Sequence, residues 1–315
     1  MITVKRYSDD DRKTWDEFCR NSKMPLFMFE RNFMEYHKDR FVDHSLIFYN
    51  DDEMIALLPC NESEGKLYSH AGLTYGGFIT NTKMKQHIMN ECFDALIGYA
   101  KDVGFTSILY KTVPHIFHEQ PAEEDRYALF RHGGQIAKIE PATVVNLKAP
   151  LKMPKGRKAQ ISRAKREGVE VKELFDENSY HTYMTLENQV LGKYHDAHAV
   201  HSGDEMYLLH SRFPEKIHLY AAFLKDEMIA GAVIYEYRQL IHTTYLAASD
   251  VAREIGALDL TIITMIEQFK ESKLWFDFGI SSEDGGRYMN EGLISQKEGF
   301  GGRTNIYDTW TIDVN

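Results

Sequence analysis

The sequence predicts an α/β protein of two similar lobes, each a mixed, mostly antiparallel sheet flanked by helices. Three observations lead there. At 315 residues the chain is too long for one ordinary core and suits two lobes. The pentapeptide Asp-Glu-Met-Ile-Ala occurs at 52–56 and again at 226–230, each time as the turn and second arm of an apparent hairpin. The elements downstream of each copy also match in order: a strand (66–73; 239–246), a helix (83–103; 257–270) and another strand (105–110; 274–280). Each unit therefore reads strand, strand, strand, helix, strand after a helical region, with the last strand arriving by a crossover.

Each element has its own warrant. Residues 1–7 alternate as a strand and carry no apolar signal core, and no stretch approaches the length of a membrane span. Apolar residues from Met84 through Ile88, Cys92, Ala95, Leu96 and Tyr99 recur at three- and four-residue steps, and Gly104 closes that helix. Pro150 and Pro154 deny helix and ladder alike, so lobes are expected at 1–148 and 149–315. The second lobe opens on a short, exposed basic helix, with Lys152, Lys155, Arg157, Lys158, Arg163, Lys165 and Arg166 in 15 positions. Gly168 ends it before a strand at 169–171.

Composition excludes several classes. A net charge of −10 argues against DNA binding by the whole surface. Cys19, Cys60 and Cys92 have no paired spacing, so neither a disulfide framework nor a zinc knuckle is expected. The chain reads as cytoplasmic, without membrane insertion. His195, His198 and His201 would share one side of a helix, but no acidic partners stand at ligand spacing, and no metal is expected. No serine elbow, Walker loop or dinucleotide fingerprint occurs.

Gly156-Arg157-Lys158-Ala159-Gln160-Ile161-Ser162-Arg163-Ala164-Lys165-Arg166-Glu167-Gly168-Val169 resembles a stretch of the Fem-type peptidyltransferases, with one extra residue between its arginine and isoleucine. Asp277-Phe278-Gly279-Ile280 and Gln296-Lys297-Glu298-Gly299-Phe300-Gly301-Gly302 are similar to the Asp-Phe-Gly and Phe-Lys-x-x-Phe-Gly signatures of related GNAT acyltransferases, with Gln296 replacing a phenylalanine. Ser69 to Gly77, with Tyr75 and Gly76, looks like the glycine-containing strand end of the first Fem lobe. The resemblance covers nearly the whole chain and implies two tandem GNAT-like lobes of the FemAB-related branch. Fem-type enzymes take an amino acid from aminoacyl-tRNA and carry a long helical arm. Here 174–218 is interrupted by Gly192, Gly203 and Pro214, so acyl-CoA is the expected donor and aminoacyl-tRNA the second choice.

The expected activity is transfer of an acyl or aminoacyl group to a primary amine, carried by a small-molecule or nucleotide-linked precursor of the cell envelope. The rival is a noncatalytic binding protein that keeps the fold to recognise an anionic ligand. The donor's pyrophosphate is expected at Arg253, Gly256 and Ala257, a turn that reads equally as a capping loop. Thr80-Asn81-Thr82-Lys83 lacks the glycine pair, which leaves the donor to the second lobe. By resemblance, Arg157 with Arg163, Tyr75 and Gly76 would hold the acceptor, and Lys297 would act at the donor carbonyl. Asp277 and Glu291 are the candidate catalytic carboxylates, Glu291 in the loop expected after the Asp277 strand. Lys297 also reads as packing over Phe300 or pairing with Asp277. No general base is identifiable from the residues.

Overall fold

Both Asp-Glu-Met-Ile-Ala copies form hairpins. Leu46–Asn50 pairs antiparallel with Glu53–Leu58, and Ile217–Leu224 with Glu227–Glu236. The residue before each copy, Asp51 or Lys225, lies at φ 53° or 57°. Each ladder then slips by one residue: Phe48↔Ala56 is followed by Tyr49↔Met54, and Ala222↔Ala230 by Phe223↔Met228. Ile55 and Ile229 are thus the extra residues of two β-bulges. A bulge at the same residue of the same pentapeptide argues that the lobes arose by duplication.

A computed structural model of the chain describes residues 1–195 and 197–314. It divides into two units, Met1–Pro141 with Ser282–Tyr288 and Ile306–Asn315, and Ala142–Ser281 with Met289–Asn305. In the first, Ile2–Arg6, the hairpin and Ile79–Thr80 form an antiparallel sheet. Ser107–Lys111 pairs parallel with Lys66–Tyr68 on one side and antiparallel with 309–313 on the other. Helix Gln86–Val103 buries Met89, Cys92, Phe93, Leu96 and Ala100; of the predicted stripe it buries Cys92 and Leu96, while Ile88, Ala95 and Tyr99 are half-buried and Met84 precedes the helix. It starts at Gln86 because Lys85 stays extended.

In the second unit Val169–Leu174, the hairpin and Leu240–Ala248 form an antiparallel meander. Trp275–Ile280 joins it in parallel and carries residues 142–146 on its far edge. Helix Ala257–Phe269 lays Leu258, Leu260, Ile262, Met265, Ile266 and Phe269 into the core, each contributing roughly 1.5–3 kcal/mol by leaving water. The basic segment is the helix Lys155–Arg166, which buries only Ile161 and Ala164.

Three expectations need correction. The strand predicted at 66–73 stops at Tyr68. Gly192 does not interrupt its helix, which runs Glu177–His195, whereas Gly203 does begin a new one, Gly203–Arg212. Glu291 belongs not to a loop but to the first turn of helix Glu291–Glu298.

Candidate active site

The site arises where two strands part. Leu240–Ala248 and Trp275–Ile280 pair through only Leu240↔Trp275, Ile241↔Phe276 and His242↔Asp277. Past that point lies a cavity of about 520 Å³, walled by Leu246 and Ala248 from one strand and Phe278 from the other. Helix Ala257–Phe269 points its N-terminus at it, with Gly256, Leu258 and Asp259 on the wall. The first-turn amides of a helix lack intrahelical acceptors, which makes this end a partial positive charge.

The Asp-Phe-Gly motif acquires a mechanical meaning here. Asp277 is fully buried; its Oδ2 lies 2.7 Å from His242 Nδ1, and its Oδ1 accepts a bond of 3.0 Å from the Gly279 amide. Gly279 takes φ +67°, and the ladder to 142–146 breaks between Asp277 and Ile280. Asp277 therefore pins an irregular turn of strand. That turn aims two carbonyls at Lys297, whose Nζ donates to Gly279 O at 3.1 Å and Ile280 O at 2.5 Å. Lys297 lines the cavity, is 5% exposed, and burial pulls its pKa down to about 8 against the opposing pull of Asp277.

A residue that the sequence did not single out lies on the same wall. Glu187, on helix Glu177–His195, lines the cavity, and burial raises its pKa to about 7. Tyr183, one turn earlier, donates to its Oε2 at 3.2 Å. A carboxyl with that pKa in an apolar cavity is suited to taking a proton near neutrality. In sequence Glu187 has Tyr183, Met184, Val190 and Leu191 at three- and four-residue steps, an apolar helix face that signals its burial.

The other predicted residues divide. Arg253 lines the cavity, stacked 4.0 Å above the Tyr194 ring. Gly256 lies at φ +80°, ending one short helix and starting the next, and a Cβ there would meet Gln160 O at 2.7 Å. Its amide is bound to Ala252 O, which leaves the turn's open donors to Ala257 and the residues after it. Arg157 is on the wall but engaged: Nη1 meets Asp259 Oδ2 at 2.5 Å, Nη2 donates to Gln296 O at 2.9 Å, and the guanidinium lies over Phe300. Arg163 pairs instead with Glu254, and neither it nor Glu291 is on the cavity wall. Helix Glu177–His195 ends before His198 and His201, and the His195 side chain lies outside the described residues.

The first unit has the matching parallel pair, Lys66↔Ser107 to Tyr68↔Leu109, but fills the space beyond it. Lys111 Nζ donates to the carbonyls of His70, Ala71 and Leu73, and Tyr110 accepts from the Phe78 amide. Tyr75 is 1% exposed among Phe29, Phe117 and Tyr307, so its ring packs in the core instead of facing a ligand. Gly76 sits where a Cβ would meet Ser69 O at 2.1 Å. A second cavity in this unit, about 480 Å³, is walled largely by groups paired with one another, Arg12 and Arg31 with Glu35 and Arg31 with Asp43.

Residues 155–288 match the acetyltransferase (GNAT) domain. No curated protein matches the chain in sequence. Among solved structures it is similar to FemX (11% identity, 98% of this chain and 97% of that one, TM-score 0.69). It is also similar to L-PGS from Bacillus licheniformis (16% identity, 99% and 93%, TM-score 0.66). A third is a tandem GNAT protein from the clavulanic acid biosynthesis pathway (8% identity, 100% and 99%, TM-score 0.57). The chain has the tandem GNAT fold that the motifs implied, and at these identities the likeness to solved structures is one of fold.

Proposed function

We propose that the protein is an N-acyltransferase that binds an acyl-CoA in the second unit and passes the acyl group to a primary amine. The observation that carries this is one cavity at a parted strand pair that unites a helix N-terminus, Arg253, Glu187 and Lys297. The helix end and Arg253 suit the donor's phosphates. Leu246, Ile262, Phe278 and Leu293 suit its acyl and pantetheine portions. In the reaction the neutral amine attacks the thioester carbonyl carbon, a C–N bond forms, Glu187 accepts the amine's proton, the C–S bond breaks, and CoA leaves as a thiolate that takes that proton from Glu187. Lys297 has three donors as an ammonium and two are held by carbonyls, so the third is available to the oxyanion.

The acceptor is read as an amino-sugar or peptide precursor of the cell envelope, supported by the Fem resemblance and by the fold shared with FemX. Acyl-CoA is preferred to aminoacyl-tRNA because the cavity joins a helix N-terminus and Arg253, suited to phosphates, to an apolar wall suited to an acyl chain. Among the described residues no helix is long and apolar enough to cross a membrane. A melting series with CoA and acetyl-CoA, then thiol release with a panel of amines, tests the reading. Donor binding is expected to raise the melting temperature. No rise with either compound would remove acyl-CoA as the donor.

A further inference from the structure

The second unit holds an amine that the transfer reaction uses as a hydrogen-bond donor and not as a nucleophile. A neutral primary amine has two N–H donors and one lone pair. At Lys297 two acceptors, Gly279 O and Ile280 O, match those two donors at 3.1 and 2.5 Å. The remaining tetrahedral direction of Nζ is where an ammonium carries its third proton and a neutral amine its lone pair. Phe278, Leu293 and Phe300 share the cavity wall with Lys297, so the amine shares its space with whatever acyl group enters. We propose that Lys297 is a self-acylation site, modified by the protein's own thioester donor when no acceptor amine is bound.

The step balances without a further reagent. Lys297 Nζ attacks the thioester carbonyl carbon, a C–N bond forms, the C–S bond breaks, and CoA leaves as thiolate. The proton lost by Nζ goes to that thiolate, directly or through Glu187. The product is an amide, which is not a donor, so each modified molecule has made one turnover and carries an acyl group in its own cavity. An amide nitrogen keeps one N–H, so one of the two carbonyl bonds must also be given up.

Geometry makes this site distinct from the exposed lysines Lys155 and Lys158 of the basic helix, where no cavity holds a thioester. The charges around Nζ modulate its neutral fraction. Asp277 on its strand favours the ammonium, while Arg157 and Asp259 on the two helices opposite are paired with each other. Glu187 on the fourth element shares the wall and, with its pKa near 7, is an anion only above neutrality. The neutral fraction, and with it the rate, should rise about tenfold per pH unit until it levels near pH 8.

The inference rests on the acyl-CoA reading, and two measurements on the same sample keep the two apart. The full chain is incubated with acetyl-CoA and no amine; a melting curve reports donor binding, and peptide mass mapping reports where acetyl groups sit. The expected result is stoichiometric acetylation at Lys297, faster than at Lys155 and Lys158, absent from urea-unfolded protein and absent from Lys297→Arg. Stabilisation by acetyl-CoA without acetyl at Lys297, or with acetyl spread evenly over surface lysines, overturns self-acylation and leaves the transferase reading standing. No stabilisation and no acetyl at Lys297 overturns both.

Discussion

Asp277→Asn keeps the side-chain shape and removes one negative charge beside Lys297. In the folded chain the carboxylate holds His242 and the Gly279 amide, and its charge counteracts the burial that lowers the Lys297 pKa to about 8. Asparagine can still accept from Gly279 through Oδ1, but its NH₂ then faces His242 Nδ1, which requires the imidazole to carry its proton on Nε2. One buried hydrogen bond is rearranged, at a cost of roughly 1–3 kcal/mol in stability. The larger signature is electrostatic. Without Asp277 the ammonium of Lys297 loses its neighbouring anion and its pKa falls below 8. If that ammonium stabilises the oxyanion, the alkaline limb of kcat against pH moves to lower pH in the variant, with KM for the donor little changed. The assay is thiol release at saturating substrates across the limb. An alkaline limb at the same pH in both proteins, with the variant folded by circular dichroism, would refute the coupling of Asp277 to Lys297.

Other groups give separate tests. Glu187→Gln should lower kcat by about 10²–10⁴ if Glu187 is the base, in steady-state assays with CoA binding retained; turnover within a factor of a few of the parent excludes it. Asp125, buried and accepting from Tyr110, has its pKa raised to about 7 by desolvation. A carboxyl raised in the folded state gives stability that is complete below its ordinary value near 3.8 and is lost as pH rises to about 7, so urea midpoints should fall over that window, and Asp125→Asn should flatten the fall. Arg157→Ala strands Asp259 and should destabilise the chain by about 3–5 kcal/mol in urea unfolding. Intact stability with weaker binding of a nucleotide-sugar would instead favour the acceptor role implied by resemblance.

Much of the fold was legible because it is written in local pattern. The twin pentapeptides form twin hairpins, Cys92 and Leu96 of the predicted stripe face the core, and Gly168 ends the basic helix. The site was legible only in part. Lys297, Arg253 and Gly256 reach one cavity because strand ends and helix starts recur in fixed order, and order can be read. Glu187 is harder to find: Tyr183, Met184, Val190 and Leu191 place it on an apolar helix face, but which cavity that face borders depends on packing from elsewhere in the unit. Arg157 shows the opposite limit: the motif found it, but not that Asp259 already occupies its guanidinium. Gly192 shows a third, since one glycine costs a helix only about 1 kcal/mol and the packing of its neighbours outweighs that.

The division of labour between duplicated lobes comes down to what each does with the gap beyond its parallel strand pair. Both pairs stop after three residue matches, Leu240 to His242 in one and Lys66 to Tyr68 in the other. In the second unit the strand continues to Ala248 and helps to wall a cavity. In the first, the chain leaves the strand at Tyr68 and folds back, and Lys111, half-buried with its pKa lowered to about 8 by desolvation, is held by three carbonyls of the returning loop. Each unit thus commits one lysine to backbone carbonyls beyond its parallel pair. In the first that lysine sits where the loop has taken the space. In the second it borders open volume, so the same local chemistry becomes a wall of a site. Open volume therefore borders the lysine of the second unit and a loop that of the first, a difference that does not depend on any glycine motif.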